Sequence, residues 1–312
     1  MSFFAAPVVY AAVPTMFGPD GELDLDANRA LYKLADGQLD GMLVAGTTGE
    51  FPALDDAERL TLIELALAQA GPDRVIAHIG APDAWHAARL ARAAVARGAT
   101  RLAAITPYYL TARPDELIAH YRLIRDAAGS AELYGYIFPE RTGLRVPPAL
   151  FGRLAEAADL TGVKASGSAA AELAGYVAAA PGRAIFSGDD ANPGATMAAG
   201  GAGVISGRSS AYPEVYAAMR VPAAGSGAAF PAFPASSASS AAGASSASSA
   251  SSASSAQETL DQIVALGASI GRIKYALQVR GIGTGVARMT VDAPDPETAA
   301  AIAEQVAACQ LA

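Results

Sequence analysis

Residues 101–128, RLAAITPYYLTARPDELIAHYRLIRDAA, contain the pattern that decides the fold. The first part, 101–106, is short and almost continuously apolar, as expected for a parallel strand that is covered on both faces. The last part, 114–128, repeats apolar residues at the spacing of a helix. The stretch therefore predicts one strand followed by one helix, which is the repeating unit of parallel α/β folds.

The same strand-helix pattern occurs eight times between residues 8 and 220. The predicted strands span 8–15, 41–45, 74–79, 101–106, 132–138, 161–165, 184–187 and 203–206. The predicted helices span about 26–37, 55–70, 82–97, 114–128, 147–158, 170–179, 192–199 and 213–220. Eight units in succession predict an α/β fold of the (β/α)8 TIM barrel type. A doubly wound open sheet is the alternative, but no G-x-G-x-x-G follows the first strand.

The chain divides by composition into three parts. Residues 1–220 form the predicted barrel, and 257–312 form a predicted C-terminal helical segment packed on it, with helical periodicity over 257–280 and 296–311. Residues 221–256 between them are nearly all Ala, Ser, Gly, Pro and Phe. A Ser-Ser-Ala repeat without charge has too few bulky residues for a core, which predicts a disordered surface linker.

Composition excludes several classes of function. The formal net charge is −8 and no basic stripe occurs, which argues against nucleic acid or an anionic membrane as a partner. Cys309 is the only cysteine, so neither a disulfide nor a cysteine metal cluster is expected. The apolar N-terminus lacks a basic region and is interpreted as the first strand, and no apolar run resembles a membrane span. A cytoplasmic protein is the default expectation.

Lys164 is the most informative single residue. Only Lys33, Lys164 and Lys274 among the 22 basic residues are lysines, and Lys164 lies at the end of a short apolar run that predicts a buried strand. Desolvation lowers the pKa of an amine and frees its lone pair for attack on a carbonyl group, which arginine cannot do. The alternative is a lysine that extends its amine from the strand end into solvent.

Other candidate residues also follow predicted strands, where barrel active sites collect. The turn Gly46-Thr47-Thr48-Gly49 offers N–H groups and hydroxyls that suit a carboxylate, or it simply caps the next helix. Tyr136 ends the strand before Lys164 and could move protons, although core tyrosines are common. Arg141 suits bidentate binding of a carboxylate, or a surface salt bridge. The three histidines are scattered, so no metal site is predicted.

Together these segments resemble the dihydrodipicolinate synthase / N-acetylneuraminate lyase family. The motifs that carry the resemblance are Gly46-Thr47-Thr48-Gly49-Glu50, Thr106-Pro107-Tyr108-Tyr109, Tyr136 with Pro139-Glu140-Arg141-Thr142-Gly143, Gly162-Val163-Lys164, Ser187-Gly188-Asp189 and Gly203-Val204-Ile205-Ser206. The likeness covers about residues 8–220 and, more weakly, 257–290, where Lys274-Tyr275-Ala276-Leu277 continues it.

The resemblance implies a class I aldolase that needs no cofactor, because its lysine forms a covalent Schiff base with pyruvate or a related 2-oxo acid. Lys164 would be that lysine and Tyr136 the proton carrier. Thr47 and Tyr109 would complete a hydroxyl relay, the tyrosine often across a dimer interface. The family's binding roles would fall to Gly46 and Thr48 for the 2-oxo acid carboxylate, Arg141 for the second substrate's carboxylate, and Gly188 and Ile205 for the pyruvyl group. Family members are mostly tetramers built as dimers of dimers.

The resemblance leaves the second substrate open. Ile137 and Ala165 stand where the family usually has Asn after the tyrosine and Glu or Gln after the lysine. Pro139 to Gly143 favours the synthase branch, whereas 75–80 looks more like sugar-acid lyases of the 2-keto-3-deoxygluconate or N-acetylneuraminate type. Feedback inhibition by lysine is not expected, because Phe51-Pro52 replaces small polar residues. A phosphosugar aldolase and a catalytically silent 2-oxo acid sensor are further alternatives.

Overall fold

Eight parallel strands form a closed barrel in the computed structural model, which describes residues 7–219, 246–267 and 269–311. Each strand pairs with the next one along the chain, and the last pairs with the first, so the sheet has no open edge. The strands are β1 (Val8–Ala12), β2 (Gly41–Val44), β3 (Val75–His78), β4 (Arg101–Ile105), β5 (Glu132–Ile137), β6 (Gly162–Ala165), β7 (Ala184–Ser187) and β8 (Gly203–Ser206).

Helices follow the strands and cover the outside of the barrel. They are α1 (Leu25–Asp36), α2 (Asp56–Ala70), α3 (Ala84–Ala96), α4 (Pro114–Ala128), α5 (Pro139–Thr142), α6 (Pro148–Ala157), α7 (Leu173–Ala179), α8 (Pro193–Ala198) and α9 (Pro213–Ala218). Asp24, Asp55 and Asp83 accept a hydrogen bond from a backbone N–H in the first turns of α1, α2 and α3. Such caps satisfy donors that have no partner within the helix, and so fix where each helix begins.

Alternate residues of each strand point into the barrel and fill it in layers. One layer contains Tyr10, Leu43, Ile76, Tyr134 and Phe186, all buried in one apolar cluster. The inward position two residues further along β5 is occupied by Tyr136, which pairs in register with Lys164 of β6. The barrel interior is therefore packed below the layer that carries the candidate site.

The predicted TIM barrel is confirmed, with small differences at the ends of elements. β1 ends at Ala12, although the sequence predicted a strand to residue 15. Thr15 is instead turned so that its hydroxyl donates to the carbonyl of Gly49 over 2.7 Å. Apolar residues continue past the strand end because the loops at this end of the barrel are also buried. The short helix α5 was not predicted, and four residues are too few for a recognisable periodicity.

Three further helices form the C-terminal extension: α10 (Ser246–Ala265), α11 (Ile270–Val279) and α12 (Pro296–Leu311). The prediction of one helical piece over 257–280 is corrected, because Gly267 has a φ of +80° and Ser269 caps the start of α11. The predicted linker is also corrected in part. α10 begins inside it, since alanine favours helix and the run 244–256 has no Gly or Pro.

Residues 220–245, which make up most of the predicted linker, lie outside the described residues. The proposed division into a barrel, a linker and a helical segment stays a prediction. Within the described part, the extension does contact the barrel, because Lys274 of α11 forms an ion pair with Glu50 of the β2–α2 loop.

Candidate active site

Lys164 and Tyr136 lie side by side at the C-terminal ends of β6 and β5. Their Cα atoms are partners in the parallel register, and the Lys164 Nζ atom lies 4.6 Å from the centre of the Tyr136 ring. Only 6% of Lys164 and 1% of Tyr136 is exposed. Within the described residues Lys164 forms no ion pair, although a buried lysine is usually paired with a carboxylate. The neighbour of its amine is instead the face of the Tyr136 ring.

The β2–α2 loop brings a second hydroxyl to Tyr136. The Tyr136 hydroxyl donates to Thr47 Oγ1 over 3.2 Å. The loop is held by its own backbone, in which the Glu50 N–H donates to the Thr47 carbonyl over 3.0 Å and the Phe51 N–H donates to the Gly46 carbonyl over 3.2 Å. The structure thus brings together three of the predicted residues: Lys164, Tyr136 and Thr47.

Two glycines leave room beside these side chains. A Cβ atom on Gly188 would lie 3.2 Å from Lys164 Cε and would overlap the Ser166 hydroxyl. A Cβ atom on Gly207 would lie 3.4 Å from Thr48 Oγ1. Gly188 therefore borders Lys164, Thr48 faces the loop after β8, and the role of Gly188 in a pyruvyl pocket stays a prediction. Ile205 is buried one layer lower, in the cluster with Tyr10 and Phe186.

Tyr109 and Arg141 lie further from this group. Tyr109 is 94% exposed and has a φ of +77°, which is a strained value for a residue with a side chain. Its neighbour Tyr108 packs on Phe51 with ring centres 5.8 Å apart. Arg141 is exposed on α5, with its guanidinium 5.5 Å from the centre of the Phe138 ring. Within one chain neither residue is brought into contact with Lys164.

His78 is a neighbour of the site to which the sequence pattern assigned no role. Its ring is fully buried, 6.1 Å from the Tyr136 ring and 4.6 Å from the Phe51 ring, centre to centre. Burial, reinforced by the charge of Arg59, holds the pKa of His78 well below its ordinary value. The ring is therefore neutral. Period-two alternation along β3 was the signal that could have placed it inside the barrel.

The tautomer of His78 follows from its neighbours. Nδ1 lies 2.9 Å from the Ala45 carbonyl, which needs a donor. Arg59 Nη2 already donates to the His78 carbonyl over 2.8 Å, so it does not require Nδ1 as an acceptor. This arrangement assigns the proton to Nδ1 and leaves Nε2, which has no partner among the described residues, as an acceptor.

Comparison with known proteins shows the family of this chain. A profile described as "Dihydrodipicolinate synthetase family" matches residues 6–229, which is more than half of the chain. The chain belongs to the dihydrodipicolinate synthetase family. This match confirms the family that the sequence motifs predicted. It also confirms the prediction that the family is one of enzymes, of the lyase class.

Curated relatives of this family member are named 4-hydroxy-tetrahydrodipicolinate synthase. The one from Acidothermus cellulolyticus is 39% identical over 201 residues, which are 63% of this chain and 64% of the relative. The one from Xanthomonas campestris pv. campestris is 36% identical over 211 residues, which are 67% of this chain and 70% of the relative. The first of these matches thus spans just under two thirds of the relative's length.

Solved structures agree on the fold of this family member. The 4-hydroxy-tetrahydrodipicolinate synthase from Methylacidiphilum fumariolicum SolV superposes with a TM-score of 0.80 at 22% identity, covering 98% of this chain and 96% of the other.

Among the described residues no helix is long and apolar enough to cross a membrane. Across that same part of the chain no three His, Cys, Asp or Glu side chains are grouped as a metal site would require.

Proposed function

We propose that this chain is a class I aldolase in which Lys164 forms a Schiff base with pyruvate or a related 2-oxo acid. The amine adds to the ketone carbon, and loss of water gives an iminium ion. The iminium then accepts the electrons of a C3–H bond as the proton leaves and an enamine forms. The enamine carbon bonds to an aldehyde, whose oxygen takes up a proton, and water hydrolyses the resulting iminium to free Lys164. Cleavage is the same sequence in reverse. The observation that carries the proposal is the buried contact between Lys164 and Tyr136.

Tyr136 is the proposed proton carrier of this sequence. Its hydroxyl donates to Thr47 and its ring lies against the amine, so it is placed to pass protons to and from the carbinolamine and the enamine. Gly46 and Thr48 are proposed to hold the 2-oxo acid carboxylate, and Gly188 and Ile205 to border the pyruvyl group. No cofactor is part of this scheme, because the covalent bond to Lys164 supplies the electron sink.

We propose a synthase-type reaction with a carboxylated aldehyde as the first choice of second substrate. The relatives at 36–39% identity are named as synthases, and Arg141 of the Pro139 to Gly143 segment is the proposed carboxylate contact. A sugar-acid aldolase is the second candidate. It is favoured by His78, whose neutral ring offers a hydrogen-bond acceptor in the layer of Tyr136 and Lys164.

The positions of the two departures from the family pattern argue against the hypothesis of a catalytically silent sensor. Ile137 and Ala165 follow Tyr136 and Lys164 in their strands, so the pleat turns them away from the barrel interior. Both are buried in the apolar core between strands and helices. The replaced side chains would therefore not have pointed at the amine. Turnover with pyruvate and a panel of aldehydes separates an enzyme from a sensor.

We also propose that the chain forms a homotetramer, built as a dimer of dimers. Tyr109 is exposed, as are Leu110 beside it and Trp85 at the start of α3. Large apolar side chains exposed after neighbouring strands suit a contact with a second copy. In that contact Tyr109 would complete the hydroxyl relay of the partner's site. The cytoplasmic location expected from the sequence stays a prediction.

Borohydride trapping tests the Schiff base directly. Pyruvate and borohydride should add one reduced pyruvyl group to the peptide containing Lys164, as measured by mass spectrometry. The chain contains two other lysines as internal controls, Lys33, which is exposed, and Lys274, which is buried. The Lys164→Arg variant should remain unlabelled. An unmodified Lys164 peptide in the wild type, or equal labelling of Lys33, contradicts the proposal.

A further inference from the structure

A buried ion pair joins α11 to the loop that carries Thr47. Lys274 and Glu50 are both fully buried, and their side chains are in direct contact. Lys274 Nζ also donates to the Val286 carbonyl over 2.7 Å, and Glu50 Oε2 accepts from the Met289 N–H over 2.7 Å. Burial lowers the pKa of Lys274, and the Glu50 carboxylate opposes that shift. Each charge is therefore matched by its partner.

The pair is connected to the candidate site through the backbone. Glu50 has a φ of +55°, a left-handed conformation that a residue with a side chain adopts only under constraint. Its N–H donates to the Thr47 carbonyl over 3.0 Å, and Thr47 Oγ1 accepts from Tyr136. A shift of Glu50 would therefore move Thr47 relative to the Tyr136 hydroxyl.

The same helix also comes near the neighbouring threonine. A Cβ atom on Gly207 would lie 3.1 Å from Ile273 Cδ1 and 3.4 Å from Thr48 Oγ1. Ile273, which precedes Lys274, and Thr48 thus both lie beside Gly207. Helix α11 is therefore linked to Thr47 through Glu50, and it approaches Thr48 at Gly207.

We propose that Lys274 and Glu50 are positioning residues that hold Thr47 in place for proton transfer by Tyr136. An apolar pair would hold α11 on the barrel with less desolvation, so stability alone does not account for two buried charges. A directional contact that fixes a strained loop does account for them. The inference rests on the proposed Schiff-base function and adds a role for a helix outside the barrel.

A double-mutant cycle between Lys274→Met and Thr47→Val tests the proposal. The reaction followed is the exchange of pyruvate C3 protons with D2O, measured by NMR, because it requires only the iminium and the enamine and no aldehyde. Each single substitution should lower the maximal exchange rate by about 10- to 100-fold, the scale expected for misplacing a reacting group. The double variant should exchange no more slowly than the slower single variant.

Independent losses that multiply in the double variant would overturn the positioning role. Borohydride labelling of Lys164 at saturating pyruvate should be retained in every variant. Absence of labelling in the wild type instead contradicts the proposed function itself, so the two failures are distinguishable. If Lys274→Met does not fold, Glu50→Gln/Lys274→Met replaces it in the cycle, because that variant leaves no buried charge unpaired.

Arg280→Met is the matched control. Arg280 directly follows the last residue of the same helix and forms an ion pair over 2.7 Å with the partly exposed Glu214 of α9, and within the described part of the chain it has no contact with the β2–α2 loop. Its loss should lower the melting temperature and leave the exchange rate unchanged. A fall in exchange equal to that of Lys274→Met would mean that any loosening of α11 slows the reaction, which contradicts a specific role for Lys274.

Discussion

Lys164 and Lys274 show how the surroundings of one residue type decide its chemistry. Lys274 is buried against the Glu50 carboxylate, which favours the ammonium form and keeps its lone pair occupied. Lys164 is buried against the Tyr136 ring and forms no ion pair among the described residues. Covalent chemistry on a ketone needs the free lone pair, so we expect Lys164 and not Lys274 to be the nucleophile of the proposed reaction.

Two buried histidines make the stability of the molecule sensitive to acid. Burial lowers the pKa of His120 in α4 to about 4, and it also lowers that of His78. Because the unfolded chain accepts these protons near pH 6.5 and the folded chain does not, acidification favours unfolding. The loss of folding stability begins as the pH falls through 6.5, and the part that is due to His120 ends near pH 4.

His120→Phe should reduce this acid sensitivity. Between pH 7 and pH 5 the free energy of unfolding of the wild type should fall by about 2 kcal/mol more than that of the variant, since only the wild type carries this titration. Urea unfolding at the two pH values provides the measurement. The carboxylates titrate equally in the wild type and in the variant, so their contributions cancel when the two changes in the free energy of unfolding are subtracted. Identical losses in both proteins would show that His120 titrates normally in the folded state.

At the scale of elements, Gly267 lies between the end of α10 and the start of α11. Its φ of +80° suits glycine, and a Cβ atom there would lie 2.1 Å from Arg272 Nη1. Gly281, just after α11, has the same φ of +80° but no atom within 4 Å of such a Cβ. The two glycines therefore share a left-handed φ, and an added Cβ atom would be crowded only at Gly267.

Gly267→Ala should lower the free energy of unfolding more than Gly281→Ala does. The left-handed conformation costs an alanine about 1–2 kcal/mol at either position, and only Gly267→Ala must also displace the Arg272 side chain. Thermal unfolding of the two variants in parallel measures the difference. Equal melting temperatures would show that the Arg272 side chain moves aside without cost and that crowding has no part in the effect.

At the scale of the whole molecule, the candidate site of one chain is incomplete in the proposed scheme. Lys164, Tyr136 and Thr47 are brought together, but Tyr109 extends from the surface on a strained backbone. A second copy that supplies its own Tyr109 would complete the relay. The exposed Leu110 side chain beside it would then be buried in the same contact.

Mixing two inactive variants tests whether Tyr109 acts in a partner's site. Lys164→Arg and Tyr109→Phe should each abolish or strongly slow pyruvate exchange alone. In a mixed dimer one site has both residues intact, so an equal mixture should recover about one quarter of the wild-type rate. Light scattering on the wild type should show an oligomer. A monomer, or no recovery after mixing, contradicts the shared site.

The sequence predicted the barrel well because its strands are buried on both faces and appear as short apolar runs between helices. It also placed Lys164 and Tyr136 at adjacent strand ends, since parallel strands end on the same side. It could not predict the contact between Glu50 and Lys274, which are far apart in the chain and share no local pattern. The family resemblance implied that Tyr109 acts across a dimer interface, but periodicity alone could not predict its outward direction, because side-chain direction in a loop depends on φ.

The contact between α11 and the β2–α2 loop has a consequence for protein synthesis. A chain leaves the ribosome from its N-terminus, so all eight strands emerge before Lys274 and Met289 do. Until those residues arrive, the Glu50 carboxylate has neither its counter-ion nor the Met289 N–H. A nascent chain thus presents all eight strands before the β2–α2 loop has its contacts with Lys274 and Met289, and in the proposed scheme Lys164 becomes competent only after those two residues have emerged.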